Sequence, residues 1–392
     1  MTANSTDTRR YSDEIWIGKL SMGASNPVRV QSMTNTNTLD TEACVAQAIR
    51  IIEAGGELVR LTAQGVREAE NLKHIKAELT QRGYGDTPLV ADIHFNPEAA
   101  EVAAQFVEKV RINPGNFVKS IKSSSDYSDE EFEQERLLLR EKFIRFLAIC
   151  KQHNTAVRIG VNHGSLSERM MNRYGDTPLG MVESCMEMLR FCREVDFKHV
   201  VISLKSSNTR LMVNAVRLLV ERMDAENYHF PLHLGVTEAG DGEDGRIKSA
   251  VGIGSLLVDG IGDTIRVSLS EAPENEIPVA FAILQATRSR ITKTEYISCP
   301  GCGRTLFDLQ SVIAQIKART NHLTGLKIGI MGCIVNGPGE MADADYGYVG
   351  AAAGKVSLYK KQQCVEKNIP AEQAVEKLVE LIKASGDWVE KE

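Results

Sequence analysis

The sequence lacks an apolar run long enough to span a membrane, and its first residues, MTANSTDTRR, lack the apolar stretch of a secretory signal. It also lacks an excess of basic residues, because its formal net charge is -6. Proteins that bind the nucleic-acid backbone need a basic surface, so this class is disfavoured. We therefore expect a cytoplasmic protein without nucleic-acid or membrane partners, in which any polyanion site is a local pocket.

The cysteines do not follow the pattern of a disulfide scaffold. Eight of them in 392 residues, several within helical stretches, are more typical of a reducing compartment. Cys44, Cys150, Cys185 and Cys192 have helical apolar spacing, where a cysteine is usually a small buried hydrophobic residue. We assign these four no chemistry, which leaves the cysteines of the C-terminal part as candidates.

Three of the remaining cysteines fall in two turn-rich segments, Cys299-Pro300-Gly301-Cys302 and Gly332–Glu340, which contains Cys333. A C-x-x-C loop presents two thiolates to one centre, and Pro and Gly let backbone N–H groups approach the sulfurs. Iron–sulfur clusters normally take four cysteines, so a set of three either adds a harder ligand or leaves one iron open to substrate. A structural zinc site completed by Cys364 or His322 fits the same spacing.

Up to about Ser270 the sequence repeats a short β-branched run followed by a longer helical pattern. The eight runs are Val28–Ser32, Leu58–Thr62, Leu89–His94, Val110–Asn113, Val157–Asn162, Val200–Lys205, Leu232–Glu238 and Thr264–Ser268. Eight strands alternating with helices is the count of a (β/α)₈ barrel. We therefore predict an α/β fold with an N-terminal TIM-type barrel over residues 1–270. A long charged helix, Asp129–Gln152, is expected between the fourth and fifth strands.

The chain is too long for one ordinary core, so a second domain is expected. We predict a linker over residues 271–295 and a smaller α+β domain over residues 296–392. Within that domain the patterns indicate an amphipathic helix over Leu306–Ala318, a strand over Leu326–Met331 and a last helix over Ala371–Ala384.

Several predicted strands place a cation between apolar neighbours. The members are Arg60, Arg111, Arg158 and Arg266, and Lys205 ends its own strand in the same way. If the apolar neighbours face the helices, these cations face the barrel axis near the C-terminal mouth. Pairing with Asp92 or Glu238 could neutralise individual arginines, but the cations outnumber such acids. Because unpaired buried charges are costly, the sequence predicts a polyanion here, and arginine forks match two phosphates.

Other polar residues follow the strands at positions where barrel enzymes keep catalytic groups. They are Asp92, His94, Asn162, His163 and Glu238. Glu238 precedes the flexible Ala239–Gly242 segment. We prefer Glu238 as an acid or base, because a carboxylate near a reducible centre can deliver a proton.

The motifs together closely resemble one family, the 4-hydroxy-3-methylbut-2-enyl diphosphate synthases of the methylerythritol phosphate pathway of isoprenoid biosynthesis. The segments that carry the resemblance are Val30–Asn35, Leu89–Phe95 (LVADIHF), Val110–Asn116 (VRINPGN), Arg158–Ser165 (RIGVNHGS), Leu232–Gly240 (LHLGVTEAG), Gly260–Leu269 (GIGDTIRVSL), Cys299–Arg304 (CPGCGR) and Gly332–Glu340 (GCIVNGPGE). They span nearly the whole chain.

The resemblance implies an iron–sulfur oxidoreductase with a 4Fe-4S cluster, held by Cys299, Cys302, Cys333 and a displaceable Glu340. It implies diphosphate-binding roles for Arg60, Arg111, Arg158, Asn162, Lys205, Arg266 and Ser268, with Asp92, His94 and Glu238 nearer the reacting carbons. The substrate would be 2-C-methyl-D-erythritol 2,4-cyclodiphosphate, reduced by two electrons from ferredoxin or flavodoxin. The family forms homodimers in which the site is completed in trans.

The short segment 271–297 indicates the compact form of the family, without the large extra domain of some members, although the longer strand four to five connection resembles the extended lineage. These motifs do not separate ferredoxin users from flavodoxin users. Two other classes stay open: a phosphate-binding barrel with a structural zinc module and no redox chemistry, and a cobalamin- or pterin-binding methyltransferase barrel. The second leaves the arginine set unexplained.

Overall fold

The computed structural model describes residues 9–121, 127–335 and 337–391. The chain divides into two compact units, Met1–Arg290 and Ile291–Glu392. Over the part of the chain that is described, no helix combines the length and the apolar character needed to cross a membrane.

The first unit is a parallel barrel preceded by a hairpin. The hairpin strands are β1 (Ile15–Ile17) and β2 (Leu20–Met22), and the barrel strands are β3 (Arg29–Met33), β4 (Leu58–Thr62), β5 (Leu89–Ile93), β6 (Lys109–Ile112), β7 (Ala156–Asn162), β8 (Val200–Lys205), β9 (His233–Leu234) and β10 (Thr264–Ile265). The helices are α1 (Thr41–Glu53), α2 (Val66–Gln81), α3 (Pro97–Ala103), α4 (Asp129–His153), α5 (Glu168–Tyr174), α6 (Pro178–Glu194), α7 (Thr209–Ala225), α8 (Gly242–Val258) and α9 (Glu276–Ala286), with 3₁₀ turns at Pro114–Asn116 and Pro273–Asn275.

The eight barrel strands follow one another around the sheet in chain order. A bridge between Ile202 and Leu232 joins β8 to β9 and closes the barrel. The predicted TIM-type barrel is therefore confirmed, with strand positions close to those expected from the apolar runs. β9 and β10 are only two residues long, because the residues after them leave the ladder and form loops at the C-terminal mouth.

Alternation along the strands separates the two faces of the sheet. The apolar neighbours of the arginines, such as Val110 and Ile112, belong to the large core between strands and helices. On the axis, Leu58, Val90, Ala156 and Val201 pack against the β1–β2 hairpin through Ile15, Ile17 and Met22. The hairpin therefore closes the N-terminal end of the barrel, and Asp92, Arg111 and Arg158 lie two residues further along their strands, toward the other end.

Two connections bear on the predicted boundaries. The long charged helix is present as α4, which begins at a Ser128 cap whose hydroxyl accepts from Glu131 N–H. Residues expected to form a linker instead include α9, which packs on β3 and α8 through buried Ile277, Ile283 and Leu284. Because this apolar face is covered by the barrel, the structure divides at Arg290 and Ile291, later than the predicted end of the barrel.

The second unit is a five-stranded sheet with helices. Its elements are β11 (Glu295–Ser298), α10 (Leu309–Thr320), β12 (Lys327–Met331), α11 (Gly337–Glu340), β13 (Tyr346–Ala352), β14 (Lys355–Lys360), β15 (Gln363–Pro370) and α12 (Ala371–Ala384). The strands lie in chain order, with β11, β12 and β13 parallel and the others antiparallel. Ile316, Leu378 and Ile382 pack on Ile328 and Tyr348 to form its core.

Candidate active site

The predicted strand cations point into the barrel. Arg60, Arg111, Arg158 and Lys205 are all buried, and Arg111 and Arg158 are each only 1% exposed. Arg266 is partly buried at the end of β10. Since their apolar neighbours face the helices, these side chains gather on the axis at the C-terminal end, where the alternation predicts them.

Asp92, on β5, binds two of the arginines. Arg60 Nη2 donates to Asp92 Oδ2 at 2.6 Å, and Arg111 Nη1 donates to Oδ1 at 3.2 Å. Burial alone would raise the pKa of Asp92, but the charges of Arg60 and Arg111 hold it well below its ordinary value. Asp92 is therefore an ionised counter-charge in the free protein. It neutralises individual arginines, as the sequence allowed.

His94 lies beside this group at the mouth. Its Nε2 is 2.7 Å from Arg111 Nη1 and 3.2 Å from Asp92 Oδ2. The side chain is partly exposed, so it connects the buried ion pairs with solvent.

Arg266 takes its counter-charge from outside the strands. Its Nε and Nη2 donate to the two carboxylate oxygens of Glu276 at 3.1 and 3.0 Å. Glu276, at the start of α9, also accepts from Ser32 Oγ at 2.7 Å and from Leu269 N–H at 3.1 Å. A carboxylate with this many donors is fixed in place, so Glu276 orients Arg266.

Arg158 and Lys205 have no carboxylate partner among the side chains that the structure describes. Arg158 Nε and Nη1 are buried without a hydrogen-bond acceptor. Burial, and then the charges of Arg60 and Arg111, lower the pKa of Arg158; burial and Arg158 likewise lower that of Lys205. Both groups therefore lie in an environment that favours a bound anion.

Two glycines provide the space for these long side chains. A Cβ added at Gly160 would lie 2.5 Å from Arg111 Nε, and one at Gly235 would lie 2.7 Å from Lys205 Nζ. Arg111 also donates to the Gly160 carbonyl at 3.0 Å. Because Gly160 on β7 and Gly235 after β9 have no side chain, Arg111 and Lys205 can occupy the space beside them.

Other predicted residues lie around the mouth. Asn162 is partly buried at the end of β7, in register with Lys205, and Ser268 is partly buried in the loop after β10. His163 binds Asp176 at 3.3 Å instead of turning to the axis. Glu238 is exposed and has a left-handed φ of 52°, and among the described residues no arginine pairs with it. Of the two carboxylates considered as partners of the arginines, Glu238 is therefore not used in the described structure, because its loop directs the carboxylate to solvent.

Sequence reasoning missed three buried groups of the barrel. Lys109 and His233 lie on the axis, and Lys109 alternates with the predicted site position Arg111, at Lys109-Val110-Arg111. That alternation was the available signal. Glu276 had no signal of this kind, because it lies outside the strands, in a helix that was assigned to a linker.

In the second unit, the predicted cluster ligands surround one cavity of about 150 Å³. Its lining includes Cys299, Cys302, Cys333, Glu340 and Arg304. Gly332 N–H donates to Cys299 Sγ at 3.2 Å, and Gly301, with φ of 78°, forms the turn between the first two cysteines. A backbone donor on a thiolate is a feature of iron–sulfur sites, so the donor set fits such a cofactor. Asn336 of this motif lies outside the described residues.

The polar environment of the cavity also suits anionic sulfur. Hydrogen bonds from the backbone and side chain of Arg304 lower the pKa of Cys302 below the ordinary thiol value. Arg304 also interacts with Cys333. Sequence reasoning gave Arg304 no role, although it follows the C-x-x-C pair by two residues.

The alternative zinc ligands are elsewhere. Cys364 Sγ contacts the Glu366 carbonyl on β15, and His322 packs against Trp388 with ring centroids 5.1 Å apart. Within residues 9–121, 127–335 and 337–391, no three His, Cys, Asp or Glu side chains form a group that could hold a metal ion.

Comparisons with known proteins cover both units. Residues 12–281 match the GcpE TIM-barrel domain, and residues 295–384 match the GcpE protein C-terminal domain. Among solved structures, dihydropteroate synthase of Yersinia pestis is similar at 13% identity and a TM-score of 0.43, over 71% of this chain and 99% of that one. That similarity carries no statement about function.

Relatives with known names align over nearly the full chain. The protein of Prochlorococcus marinus named 4-hydroxy-3-methylbut-2-en-1-yl diphosphate synthase (ferredoxin) is 51% identical, over 97% of this chain and 95% of the relative. A Synechococcus protein of the same name is 52% identical, over 97% and 96%.

A Phocaeicola vulgatus protein with the same name but marked flavodoxin is 44% identical, over 98% of this chain and 99% of the relative. That alignment runs over 609 positions, more than the 392 residues of this chain, so this relative carries additional sequence. Both units match their domain models, and identity to these relatives is 44 to 52%. The protein therefore belongs to the GcpE family.

Proposed function

We propose that the protein converts 2-C-methyl-D-erythritol 2,4-cyclodiphosphate to 4-hydroxy-3-methylbut-2-enyl diphosphate. The C2–O bond to phosphate and the C3–O bond break, and a C2–C3 double bond forms. Two electrons and one proton enter, and one water leaves. The substrate carries two negative charges and the ring-opened product carries three, so the reaction creates negative charge on the diphosphate.

The observation that carries this proposal is the surplus of positive charge in the barrel. Among the described residues at the mouth and on the axis, four arginines and two lysines face two carboxylates, Asp92 and Glu276, so the arginines alone exceed the carboxylates. The basic residues are Arg60, Arg111, Arg158, Arg266, Lys109 and Lys205. Such a surplus is costly without a counter-charge, and a diphosphate supplies one that increases as the ring opens.

Within this site, Arg60, Arg111, Arg158, Lys205 and Arg266 would hold phosphate oxygens, and Asn162 and Ser268 would donate hydrogen bonds. The arginine forks fit bidentate phosphate recognition. Asp92 and Glu276 would orient three of the arginines instead of contacting the ligand. This assignment is supported by the ion pairs of Asp92 and Glu276 described above.

The proton of the reaction would come from a group at the mouth. His94 is partly exposed and in contact with Asp92 and Arg111. Glu238 is exposed on a loop with a left-handed backbone, a conformation that non-glycine residues adopt at a cost and that is frequent at functional sites. We infer that Glu238 delivers this one proton to the C3 oxygen, which leaves as water, and that His94, fixed by Asp92, is the second candidate for the same step.

In the second unit, Cys299, Cys302, Cys333 and Glu340 would hold a 4Fe-4S cluster. A bound cluster supplies single electrons at low potential. A carboxylate is a harder ligand than a thiolate, so Glu340 would yield its position more easily than a fourth cysteine. The Gly332 N–H and Arg304 would stabilise the negative charge of the thiolates.

We also propose a homodimer in the cytoplasm that receives electrons from ferredoxin or flavodoxin. Reduced thiols at Cys299, Cys302 and Cys333 suit a reducing compartment. The two donor classes are both represented among the names of the relatives.

The test is an anaerobic assay of the full chain after reconstitution with iron and sulfide. The cyclic diphosphate is supplied with dithionite and a viologen, and then with ferredoxin or flavodoxin and a matching reductase. Product formation is followed by phosphorus NMR, and iron and sulfide are counted per chain. A colourless protein with zinc and no turnover with any donor would contradict the proposal.

A further inference from the structure

Among the described residues, Lys109 is a buried lysine without a carboxylate partner. It lies on β6 two residues before Arg111, so both side chains point to the barrel axis. It is completely buried, and its Nζ has one hydrogen bond, to Gln31 Oε1 at 3.3 Å. A lysine ammonium has three N–H donors and is rarely buried without a carboxylate.

The groups that face Lys109 are neutral or positive. Arg60 on β4 and Arg158 on β7 oppose a charge on it. His233, from β9, is buried nearby and is itself affected by the charge of Lys109. In register with Lys109 lie Val90 on β5 and Ala156 on β7, which supply no acceptor side chain.

The carboxylates of the barrel are engaged elsewhere. Asp92 binds Arg60 and Arg111, and Glu276 binds Arg266. Neither Asp92 nor Glu276 is hydrogen-bonded to Lys109, whose one side-chain partner among the described residues is the amide of Gln31. An ammonium at this position would have no compensating charge.

We propose that Lys109 is a positioning residue that changes its protonation with the ligand: it is a neutral amine in the empty barrel and takes up a proton from solvent when a diphosphate occupies the mouth. The proposal rests on the proposed function in one respect, that the ligand is a diphosphate. The step is the addition of a solvent proton to the amine, giving the ammonium, with no other bond changed.

The physical reason is the cost of collecting like charges before the ligand arrives. Arginine stays protonated in proteins, whereas a buried lysine readily loses its proton. Burial, and then Arg158 and Arg60, hold the pKa of Lys109 well below its ordinary value. A diphosphate bound by Arg60 and Arg158 offsets their repulsion, so the same amine becomes basic again.

Lys109 would thus carry a positive charge only when a diphosphate is bound. The empty barrel avoids one uncompensated ammonium, and the occupied barrel gains one as the ligand becomes more negative. Lys205, which is buried with a lowered pKa at the mouth, responds in the same direction. The protein would therefore take up protons on binding, and Lys109 would account for one of them.

The experiment is calorimetric titration of the iron-loaded full chain under anaerobic conditions, without reductant. The cyclic diphosphate is injected at pH 7.5 in buffers of different ionisation enthalpy, and the slope of heat against that enthalpy gives protons taken up. The ligand adds none near neutral pH, because each of its phosphates has a single strongly acidic group. Inorganic diphosphate is a second probe. Because it exchanges protons itself near neutral pH, only the difference in proton uptake between the parent and the variants is compared.

We expect a positive uptake for the parent protein and an uptake smaller by about one proton for Lys109→Met. The dissociation constant of the parent should rise by up to about tenfold per pH unit for each proton linked to binding, and that of Lys109→Met should rise less. Lys151→Met, on the exposed face of α4, is the matched control and should behave as the parent. Lys109→Gln serves if the methionine variant does not fold.

Equal uptake in the parent and both Lys109 variants would overturn the proposal, as would a parent that binds with no uptake. If inorganic diphosphate binds and the cyclic compound does not, the substrate assignment is contradicted. The difference in proton uptake between the parent and the Lys109 variants can then still be measured with inorganic diphosphate. If neither compound binds the parent, both the proposed function and this role of Lys109 are wrong.

Discussion

Arg111 and Arg158 are register partners on β6 and β7, and only Arg111 has a carboxylate. Both are almost fully buried, yet Arg158 has two side-chain nitrogens without an acceptor. Two adjacent arginines thus differ in what their removal does to the empty protein. Arg111 is part of the network around Asp92, and Arg158 is an unneutralised charge.

Arg158→Met should therefore separate stability from binding. Removing an unpaired buried charge should leave the melting temperature of the empty protein unchanged or higher, because replacing buried ionic groups with apolar ones is often neutral or stabilising. Affinity for the cyclic diphosphate should fall by about 3–5 kcal/mol, since the ligand loses a buried charged partner. Scanning fluorimetry and calorimetric titration measure the two effects. Unchanged affinity would make Arg158 a structural residue.

Asp92→Asn should have the opposite effect on the empty protein. It leaves Arg60 and Arg111 without their counter-charge, and breaking a buried pair in this way costs about 3–5 kcal/mol. Denaturant unfolding measures the loss, and added diphosphate should recover part of it. Asp86→Asn is the control, because Asp86 pairs with Lys19 on the surface and should change stability by no more than about 0.5 kcal/mol. Equal effects of the two variants would contradict the role of Asp92.

The contribution of Lys109 and Lys205 to the stability of the empty protein should increase with pH as it rises toward the ordinary lysine pKa. Lys109 and Lys205 have folded-state pKa values below those of an unfolded lysine, so the unfolded chain binds more protons and ΔG of unfolding increases with pH. Each proton contributes up to about 1.4 kcal/mol per pH unit. Melting curves over this range measure the slope, which should be smaller in Lys109→Met. Asp92, whose pKa is lowered, acts only at acidic pH and does not enter this window.

Replacing Cys299, Cys302 or Cys333 with serine should remove or destabilise the cluster and abolish reduction. The reason is the loss of one thiolate from the cavity wall. Iron content, the visible spectrum and anaerobic turnover are the measurements. Cys364→Ser is the control, because Cys364 lies outside that cavity and contacts a backbone carbonyl. A serine variant of the first set with full iron and normal turnover would make its cysteine a bystander.

Substitutions of Glu340 test whether it is a cluster ligand or an ordinary exposed residue of α11. Glu340→Cys should retain a cluster and lose most activity, because a softer thiolate is less readily displaced by substrate. Glu340→Ala should give a cluster that loses iron and is more sensitive to oxygen. Both are compared with Glu372→Ala, an exposed glutamate on α12. Iron content, spectrum and turnover equal to the parent in both Glu340 variants would exclude it as a ligand.

Much of the barrel could be predicted because strand periodicity is local. The apolar-Arg-apolar triplets fix which way each arginine points once the strand is known. The same triplet at Val28-Arg29-Val30 shows the limit, because Arg29 pairs with Glu57 near the start of its strand, away from the mouth. The face of the sheet to which an arginine side chain points follows from alternation. Its distance from the mouth follows from its position within the strand.

What escaped prediction depends on contacts between different secondary-structure elements and on where each strand begins. Glu276 lies 10 positions after Arg266, and no periodic pattern connects a helix start to a strand end. Lys109 precedes the expected strand by one residue, and strand boundaries are the least regular part of such patterns. The cysteine loops were predictable as a set because their spacing reflects the chemistry of thiolate ligands.

The hairpin formed by β1 and β2 packs on Leu58, Val90, Ala156 and Val201 and closes one end of the barrel. A tube closed at one end has a single opening, so an incoming cyclic diphosphate and an outgoing linear one must use the same route. The linear compound keeps the diphosphate, for which we propose the cations as binding groups, and carries one more negative charge. It should therefore act as a competitive inhibitor, and the steady-state rate should fall as it accumulates even while substrate is plentiful.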